Sequence, residues 1–471
     1  MGKHFIIINL NKIIVLLILF SSLIILVINL VKHNSEIYKN YLKTQKYINF
    51  YFNNRIKTPI KIAIFIYKLT GGGMQRETVL FLEYLHNLKI FDLYLFTLNI
   101  YEKEDFLVPI NIKRVFIENE KIINLIRKTK KKKIELVIYQ YPKQYDINFL
   151  NRLKKVKIIF YQHSSLFFWF YYNTFYLRTI YKEYINSKYI VSLIPLENDY
   201  IFRSWGINSI LMSNYITFDY KNVKPSDLSS KTILMIGRGY DKYKRFYLGI
   251  LAMEYIIKEI PESKIKIISH LNYTEYLQDL IKNINLNNNI LFVGFSSKPE
   301  IYFKNASLHI LPTISESFSL ALCETKIYGI PSILLGLDYI TLSKGGTIII
   351  YDDSIESLAK ESIKILKNKP YRKKLGKEAR LSIKKLNNNS LRKRWIKLLL
   401  SIYNGDIYYQ NLKNKDKKLP KLEALNILEN QINLLKKRNQ KYQNFTVNNF
   451  INFTILLNMN TNISQNLYFY L

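Results

Sequence analysis

The chain has 471 residues, about half of them apolar, and carries 70 Lys and Arg against 35 Asp and Glu for a net charge of +35. That length exceeds one ordinary core and calls for two or three domains, while scarce Gly and Pro exclude a collagen-like or low-complexity chain. The single cysteine, Cys323, excludes an intrachain disulfide and a cysteine-built metal site.

The charge is compatible with an anionic partner. However, Lys, Asn, Ile and Tyr are abundant along the whole chain, so much of the charge reads as surface positions drifting toward Lys.

The elements follow in chain order. Residues 13–31, "IIVLLILFSSLIILVINLV", are nineteen positions without a charge, which at helical rise nearly cross a hydrocarbon core. No small-residue cleavage site is evident, so the expectation is an uncleaved anchor within 1–31, and a polar stem over 32–58. Lysines flank the apolar run on both sides, leaving its orientation open.

Short β-branched runs then alternate with helical stretches. Strand 61–67 is followed by an amphipathic helix 74–88, strands 92–98 and 113–117, a basic helix 121–133, and strands 135–141, 157–162 and 189–193, with a long aromatic helix before the last. A polar linker holding Pro225 breaks the alternation, which restarts with strands 232–237, 264–269, 289–294, 307–312 and 332–336, then helices to about 403.

Such alternation predicts parallel α/β units. The expected organisation is a first Rossmann-like domain over 59–215, a linker over 216–230, a second Rossmann-like domain over 231–405, and a tail over 406–471. Two doubly wound domains would face a cleft, with ligand at the C-terminal ends of the strands. Within the tail, Leu425, Leu428, Ile432 and Leu435 have heptad-like spacing over only about two heptads.

The candidate chemistry centres on "ISESFSLALCE", 314–324, where strand 307–312 hands over to a helix. A helix beginning near Phe318 turns its first N–H groups and the positive end of its dipole into the space beyond the strand, a site suited to phosphate. Glu316 stands in the loop and Glu324 nearly two turns along the helix. The pair can grip hydroxyls at separate points of one extended ligand, and a nucleotide sugar has that shape.

"ESFSLALCE" followed by "YGIP" resembles the E-x7-E signature of glycosyltransferase family 4, the glycosyl transferases group 1 enzymes of the GT-B fold. The resemblance spans about 60–405. It implies that Glu316 contacts the transferred sugar and Glu324 the ribose, with Ser317, Phe318, Ser319 and Leu320 supplying backbone donors to sugar and phosphate. Ser317 and Ser319 stand where many members carry Gly, and Thr325-Lys326 replaces the usual Ala-Met.

"IGRGYDKYKRF", 236–246, resembles the family's Gly-Arg segment with a Lys following, and places Gly237, Arg238 and Lys244 at the donor diphosphate. Fixed cations there stabilise the charge that grows on a departing nucleoside diphosphate. Lys242 and Arg245 lie close enough to compete for the Lys role. "KLTGGGMQRE", 68–77, resembles the loop that faces the diphosphate across the cleft, through Gly71, Gly72 and Gly73. His163, at a strand's C-terminal end, matches a His near the reacting sugar, and Asn214 matches the Asn that closes the family's first domain.

The resemblance implies a hexosyltransferase-type enzyme using a UDP- or GDP-sugar as co-substrate, with no cofactor and a glycan or lipid-linked acceptor. No Asp-x-Asp occurs in the chain, and the resemblance implies transfer with retention and without a metal. Alternatives on the same fold are a non-catalytic nucleotide-sugar-binding protein and a sugar-nucleotide epimerase.

No nucleic-acid module is recognisable, so no specific nucleic-acid partner is expected. The basic helix 121–133 could lie on an anionic membrane or simply pack as an amphipathic helix. A single-pass membrane location would follow from the anchor: the inner membrane in a bacterium, the endoplasmic reticulum or Golgi in a eukaryote.

Overall fold

Among the described residues, thirteen short strands, most of them rich in Ile, Val and Leu, build two all-parallel sheets. In this computed structural model the described residues are 59–98, 105–117, 122–140, 153, 155–168, 180–182, 184–185, 187, 189–216, 220–238, 242–269, 274–294, 296, 299–384, 386, 388–404 and 420–438. The expected anchor 13–31 and stem 32–58 lie outside them, as does most of the expected aromatic helix. Among the described residues no helix is long and apolar enough to cross a membrane.

The first sheet has the order β3-β2-β1-β4-β5-β6-β7. Its strands are β1 Ile60–Ile66, β2 Phe91–Thr97, β3 Lys113–Phe116, β4 Leu136–Tyr139, β5 Lys157–Tyr161, β6 Tyr189–Ser192 and β7 Ile210–Leu211. The described helices between them are α1 Gly73–Asn87, α2 Ile122–Lys131 and α3 Pro195–Trp205. Ile62, Ile64, Leu95, Leu136, Ile138 and Ile159 are fully buried, as expected of a parallel sheet covered on both faces.

The second sheet has the order β10-β9-β8-β11-β12-β13. Its strands are β8 Thr232–Ile236, β9 Lys264–Ile268, β10 Ile290–Phe292, β11 Leu308–Leu311, β12 Ser332–Leu335 and β13 Thr347–Ile350. Helices α4 Phe246–Glu259, α5 Glu275–Asn283, α6 Glu300–Phe303, α7 Leu320–Ile327, α8 Ile355–Lys367 and α9 Lys369–Ile383 wrap it. Its core joins Ile233, Met235, Ile267, Ile310 and Ile333 of the sheet to Met253 and Ile256 of α4 and Leu358 and Ile365 of α8. In each sheet the order reverses direction between the first and fourth strands, which opens the crevice where ligands sit in doubly wound folds.

Four features differ from the reading of the sequence or add to it. Strand β13, "TIII", was not anticipated; it is four residues long and follows two glycines. The linker is not loose, because Arg372 and Arg380 of α9 hold it: Arg372 Nε donates to Leu228 O at 2.9 Å and Arg380 Nη2 to Val223 O at 2.6 Å. The apolar side of α2 is spent inside the first lobe, with Leu125 and Ile126 buried and Lys130 to Lys133 exposed. That packing accounts for its amphipathicity without a membrane.

The fourth feature is α10, Asn388–Asn404, the end of the expected second domain, which packs on the first lobe. Asn388 both donates to Ile216 O and accepts from Ile216 N, at 2.9 and 3.0 Å. Tyr403 Oη donates to Glu135 Oε1 at 3.2 Å, and the buried Trp395 ring meets Phe81 at a tilt and Tyr161 edge-on, with centroids 4.7 and 5.0 Å away.

The tail contributes α11, Lys421–Arg438. Its buried side is Ala424, Ile427, Leu428, Gln431 and Leu434, spaced for one helix lying on a globular surface. Of the heptad-like set, Leu428 is on that buried side, whereas Leu425 and Ile432 are half-buried.

Candidate active site

β1 ends at Ile66, and the chain turns through Gly71 into α1. Gly71 has φ +44, a left-handed conformation that a side chain would strain. Just ahead of it Thr70 Oγ1 donates to Asp105 Oδ1 at 2.9 Å, and Asp105 is paired with Arg114 at 2.7 Å. Gly73 lies against the second lobe: a β-carbon there would stand 3.8 Å from Leu320 Cδ1. The Gly71–Gly72–Gly73 loop and the start of α7 therefore face each other.

On the second lobe, Ser319 caps α7, its Oγ accepting from Leu322 N at 3.4 Å while φ is +62. Phe318 is buried, so its side chain belongs to the core, and Ser317 Oγ donates across the cleft to His163 O at 2.5 Å. Glu316 stands in the loop and is ion-paired with Lys244, both side chains largely buried at 15% and 17% exposure. Glu324, only 4% exposed, is paired at 2.8 Å with Arg76 of α1, so the second glutamate is neutralised from the opposite lobe.

The loops carrying Lys244 and Glu316 are stitched together. Ile314 N donates to Tyr243 O at 2.9 Å, and Arg245 Nε donates to Pro312 O at 2.7 Å. Arg245 is buried and its guanidinium grips Asp353, at 2.6 Å for Nη1. It is thereby committed to structure and drops out as a diphosphate cation. Arg238 is exposed just past Gly237, where the chain leaves β8.

Aromatic pairs complete the join between the lobes. Phe167 meets Tyr339 and Phe168 meets Tyr243, with ring centroids 4.5 and 4.9 Å apart, and Thr341 Oγ1 donates to Leu193 O at 3.2 Å.

His163 lies at the end of β5 with its side chain buried, and burial pushes its pKa down to about 3, so the ring is neutral. Its Nε2 is 3.7 Å from Glu77 Oε2, and neither atom has a hydrogen-bond partner. Glu77 is fully buried, and burial raises its pKa to about 8, which leaves it protonated near pH 7. Tyr161 Oη lies 2.9 Å from Asn214 Oδ1 and 3.5 Å from Glu77 Oε1. A phenol has one proton to give, so Tyr161 donates to Asn214 and accepts from protonated Glu77. The loop after His163 is fixed by Glu197, whose Oε1 accepts from Ser165 Oγ and Leu166 N at 2.6 Å each.

Arg76, Glu77, Tyr161 and Tyr339 were not singled out by the sequence reading. Arg76 and Glu77 follow the Gly loop closely in "GGGMQRE", and their position as the fourth and fifth residues of a helix that opens at a cleft was the available signal.

Glu77 yields a test through pH. Between its unfolded pKa near 4.5 and its folded value of about 8, the folded chain holds a proton that the unfolded chain has released. Stability is therefore fully present below the lower value and falls as pH rises, by about 1 kcal/mol per pH unit from this group. Glu77→Gln removes that term, so melts of the two proteins at pH 5 and pH 8.5 are expected to show the variant gaining on wild type toward alkaline pH. A pH-independent difference would mean that Glu77 is ionised in the folded chain.

Two Rossmann-like lobes joined by a linker, a returning C-terminal helix and a charged cleft between the strand ends define the GT-B architecture. The solved structures agree. Sucrose-phosphate synthase from Thermosynechococcus elongatus matches with TM-score 0.62 and 16% identity, over 73% of this chain and 99% of that one. A Staphylococcus aureus TarM structure, in complex with fondaparinux, alpha-GlcNAc-glycerol and UDP, matches with TM-score 0.59 and 12% identity over 74% and 100%.

Residues 217–382, most of the linker and second lobe, match the family model described as glycosyl transferases group 1. Among curated relatives, an uncharacterized glycosyltransferase of Haemophilus influenzae is 25% identical over 186 residues, covering 38% of this chain and 52% of the relative. The poly(glycerol-phosphate) alpha-glucosyltransferase of Bacillus subtilis is 26% identical over 140 residues, covering 29% and 21%. The chain thus spans about half the length, or less, of the curated relatives it matches.

Proposed function

We propose that this chain is a glycosyltransferase that moves a sugar from a nucleotide-sugar donor to a glycan or lipid-linked acceptor. The observation that carries the reading is the charge arrangement where the lobes meet: Glu316 on Lys244 and Glu324 on Arg76, beside a Gly loop and a helix start. A donor fits this arrangement end to end. Its diphosphate takes the N-terminus of α7, Arg238 and Lys244, its ribose shares Glu324 with Arg76, and its sugar lies between Glu316 and the His163 loop.

Similarity to proteins whose structures hold UDP favours a UDP-sugar over a GDP-sugar. Similarity to a poly(glycerol-phosphate) glucosyltransferase favours a polymeric acceptor. The cations can serve the leaving diphosphate in a transfer that retains configuration without a metal. The apolar run 13–31 would hold the enzyme at a membrane bearing such an acceptor.

The test is titration of the full chain in detergent with UDP, GDP and their sugar conjugates, with and without EDTA, beside Glu324→Ala. Selective binding of one nucleotide, insensitive to EDTA and weakened by the variant, is expected, together with turnover of the matching sugar conjugate. A conjugate that binds but is neither transferred nor hydrolysed would overturn the enzyme reading in favour of a binding protein.

A further inference from the structure

The tail helix α11 was left without a role by the sequence, yet it is built into the donor side of the cleft at two points. Near its middle, Gln431 is fully buried, and its Nε2 donates to Gly336 O and Asp338 Oδ1 at 2.8 Å each. The neighbouring Asn430 Nδ2 donates to Asp338 Oδ2 at 2.9 Å, where Tyr351 Oη also donates at 3.1 Å. The helix can approach this closely because residue 336 is Gly with φ +67: a β-carbon there would stand 2.2 Å from Leu434 Cδ2.

Asp338 is followed by Tyr339, whose hydroxyl donates to Ser315 Oγ at 3.1 Å and accepts from Glu316 N at 3.3 Å. The first point of attachment therefore leads, through one turn of loop, to the backbone of Glu316.

At the helix C-terminus, Arg438 grips Asp353 with Nε and with Nη2, the latter at 3.0 Å. Asp353 is also gripped by Arg245, which follows Lys244 and reaches Pro312 O ahead of the Glu316 loop. One carboxylate thus holds a guanidinium from the tail and a guanidinium from the Lys244 loop. Paired planar contacts of this kind fix geometry as well as charge. Arg245 needs such fixing, because its own φ is +49, uncommon for a long side chain.

We infer that α11 is a positioning strap for the donor site: through Asp338 and Tyr339 it holds Glu316, and through Asp353 and Arg245 it holds Lys244. The inference rests on the donor-site reading given above. It assigns Gln431, Asn430 and Arg438 a part in sugar transfer although none of them lies in the loops that would touch the donor. A strap that only stabilised the fold would shift melting temperature. A strap that sets the Glu316–Lys244 geometry also shifts donor affinity and turnover.

The experiment uses the full chain with Arg438→Ala, Arg438→Lys and Gln431→Leu, measuring UDP affinity, donor KM, kcat and hydrogen exchange over 236–246 and 312–320. Arg438→Ala is expected to weaken UDP about tenfold, the scale of one charge-assisted hydrogen bond, and to raise exchange in both loops, with Arg438→Lys restoring part of each. Gln431→Leu is expected to raise exchange in 312–320 alone. Wild-type affinity, kinetics and exchange in Arg438→Ala and Gln431→Leu, even with lowered melting temperatures, would overturn the strap and leave the donor site standing. If the wild-type chain binds no nucleotide at all, the donor reading and the strap's role in transfer fall together.

Discussion

Lys244→Met is expected to slow sugar transfer about 10²–10³-fold, the loss typical of removing one preorganised charge partner of a transition state. The size follows from where the cation stands. Lys244 is ion-paired with Glu316, both side chains largely buried, so neither charge is fully screened by water. When the bond from sugar to diphosphate stretches, negative charge grows on the phosphate while positive character grows on the sugar. On the donor placement proposed above, Lys244 and Glu316 would serve opposite ends of the same breaking bond.

An interaction that strengthens only in the transition state appears in kcat rather than KM. Because Lys244 also meets the diphosphate of the bound donor in the proposed placement, the expected signature is a large fall in kcat together with a rise in donor KM. Arg245 cannot take over, because Asp353 and Pro312 O already occupy it. Lys244→Arg is expected to recover part of the rate, since charge is kept while the position of the donors changes. A Lys244→Met enzyme with wild-type kcat would move the diphosphate cation to Arg238 or Lys242.

Several parts of this structure were legible in the chain, and for physical reasons. Parallel strands buried on both faces must be apolar throughout, so "KIAIFIY" and "TILMIG" announce themselves without partners. The E-x7-E stretch is equally local: loop, cap and helix start lie within eleven residues, 314–324. What escaped depends on distant partners. Strand β13 reads as a strand only because β12 lies beside it. Helix α10 carries no mark of leaving its own domain, since its partners Phe81, Tyr161 and Ile216 come from far earlier in the chain.

The tail is the sharpest case. Its heptad-like set shares only Leu428 with the buried side among the described side chains, and that side centres on Gln431, which satisfies two acceptors at Gly336 and Asp338. Asp338 and Asp353 are ordinary residues in sequence, and only the fold makes one carboxylate the meeting point of two arginines.

Trp395→Ala is expected to remove about 3–5 kcal/mol, the cost of emptying a fully buried aromatic site. Trp395 is on α10, yet its ring packs against Phe81 of α1 and Tyr161 at the end of β5, so the loss falls on the first lobe and on the join between lobes. In a chain with two lobes a single unfolding free energy is not well defined, and the useful readout is which transition moves. The transition of the first lobe is expected to fall by on the order of 10 °C, given the usual scaling for a lobe of this size. Trp395→Phe is expected to lose less, and Leu381→Ala, at a half-exposed position on α9, to change little.

The same substitution reaches the chemistry. Tyr161 carries the hydroxyl shared by Asn214 and Glu77, and its ring lies 4.0 Å from that of His163. With the indole gone, Tyr161 loses the surface that holds it against His163, and transfer should decline at temperatures well below the melting point. A variant that melts earlier but transfers sugar at the wild-type rate in the cold would separate the two roles of α10. It would leave the helix as a clamp between lobes and nothing more.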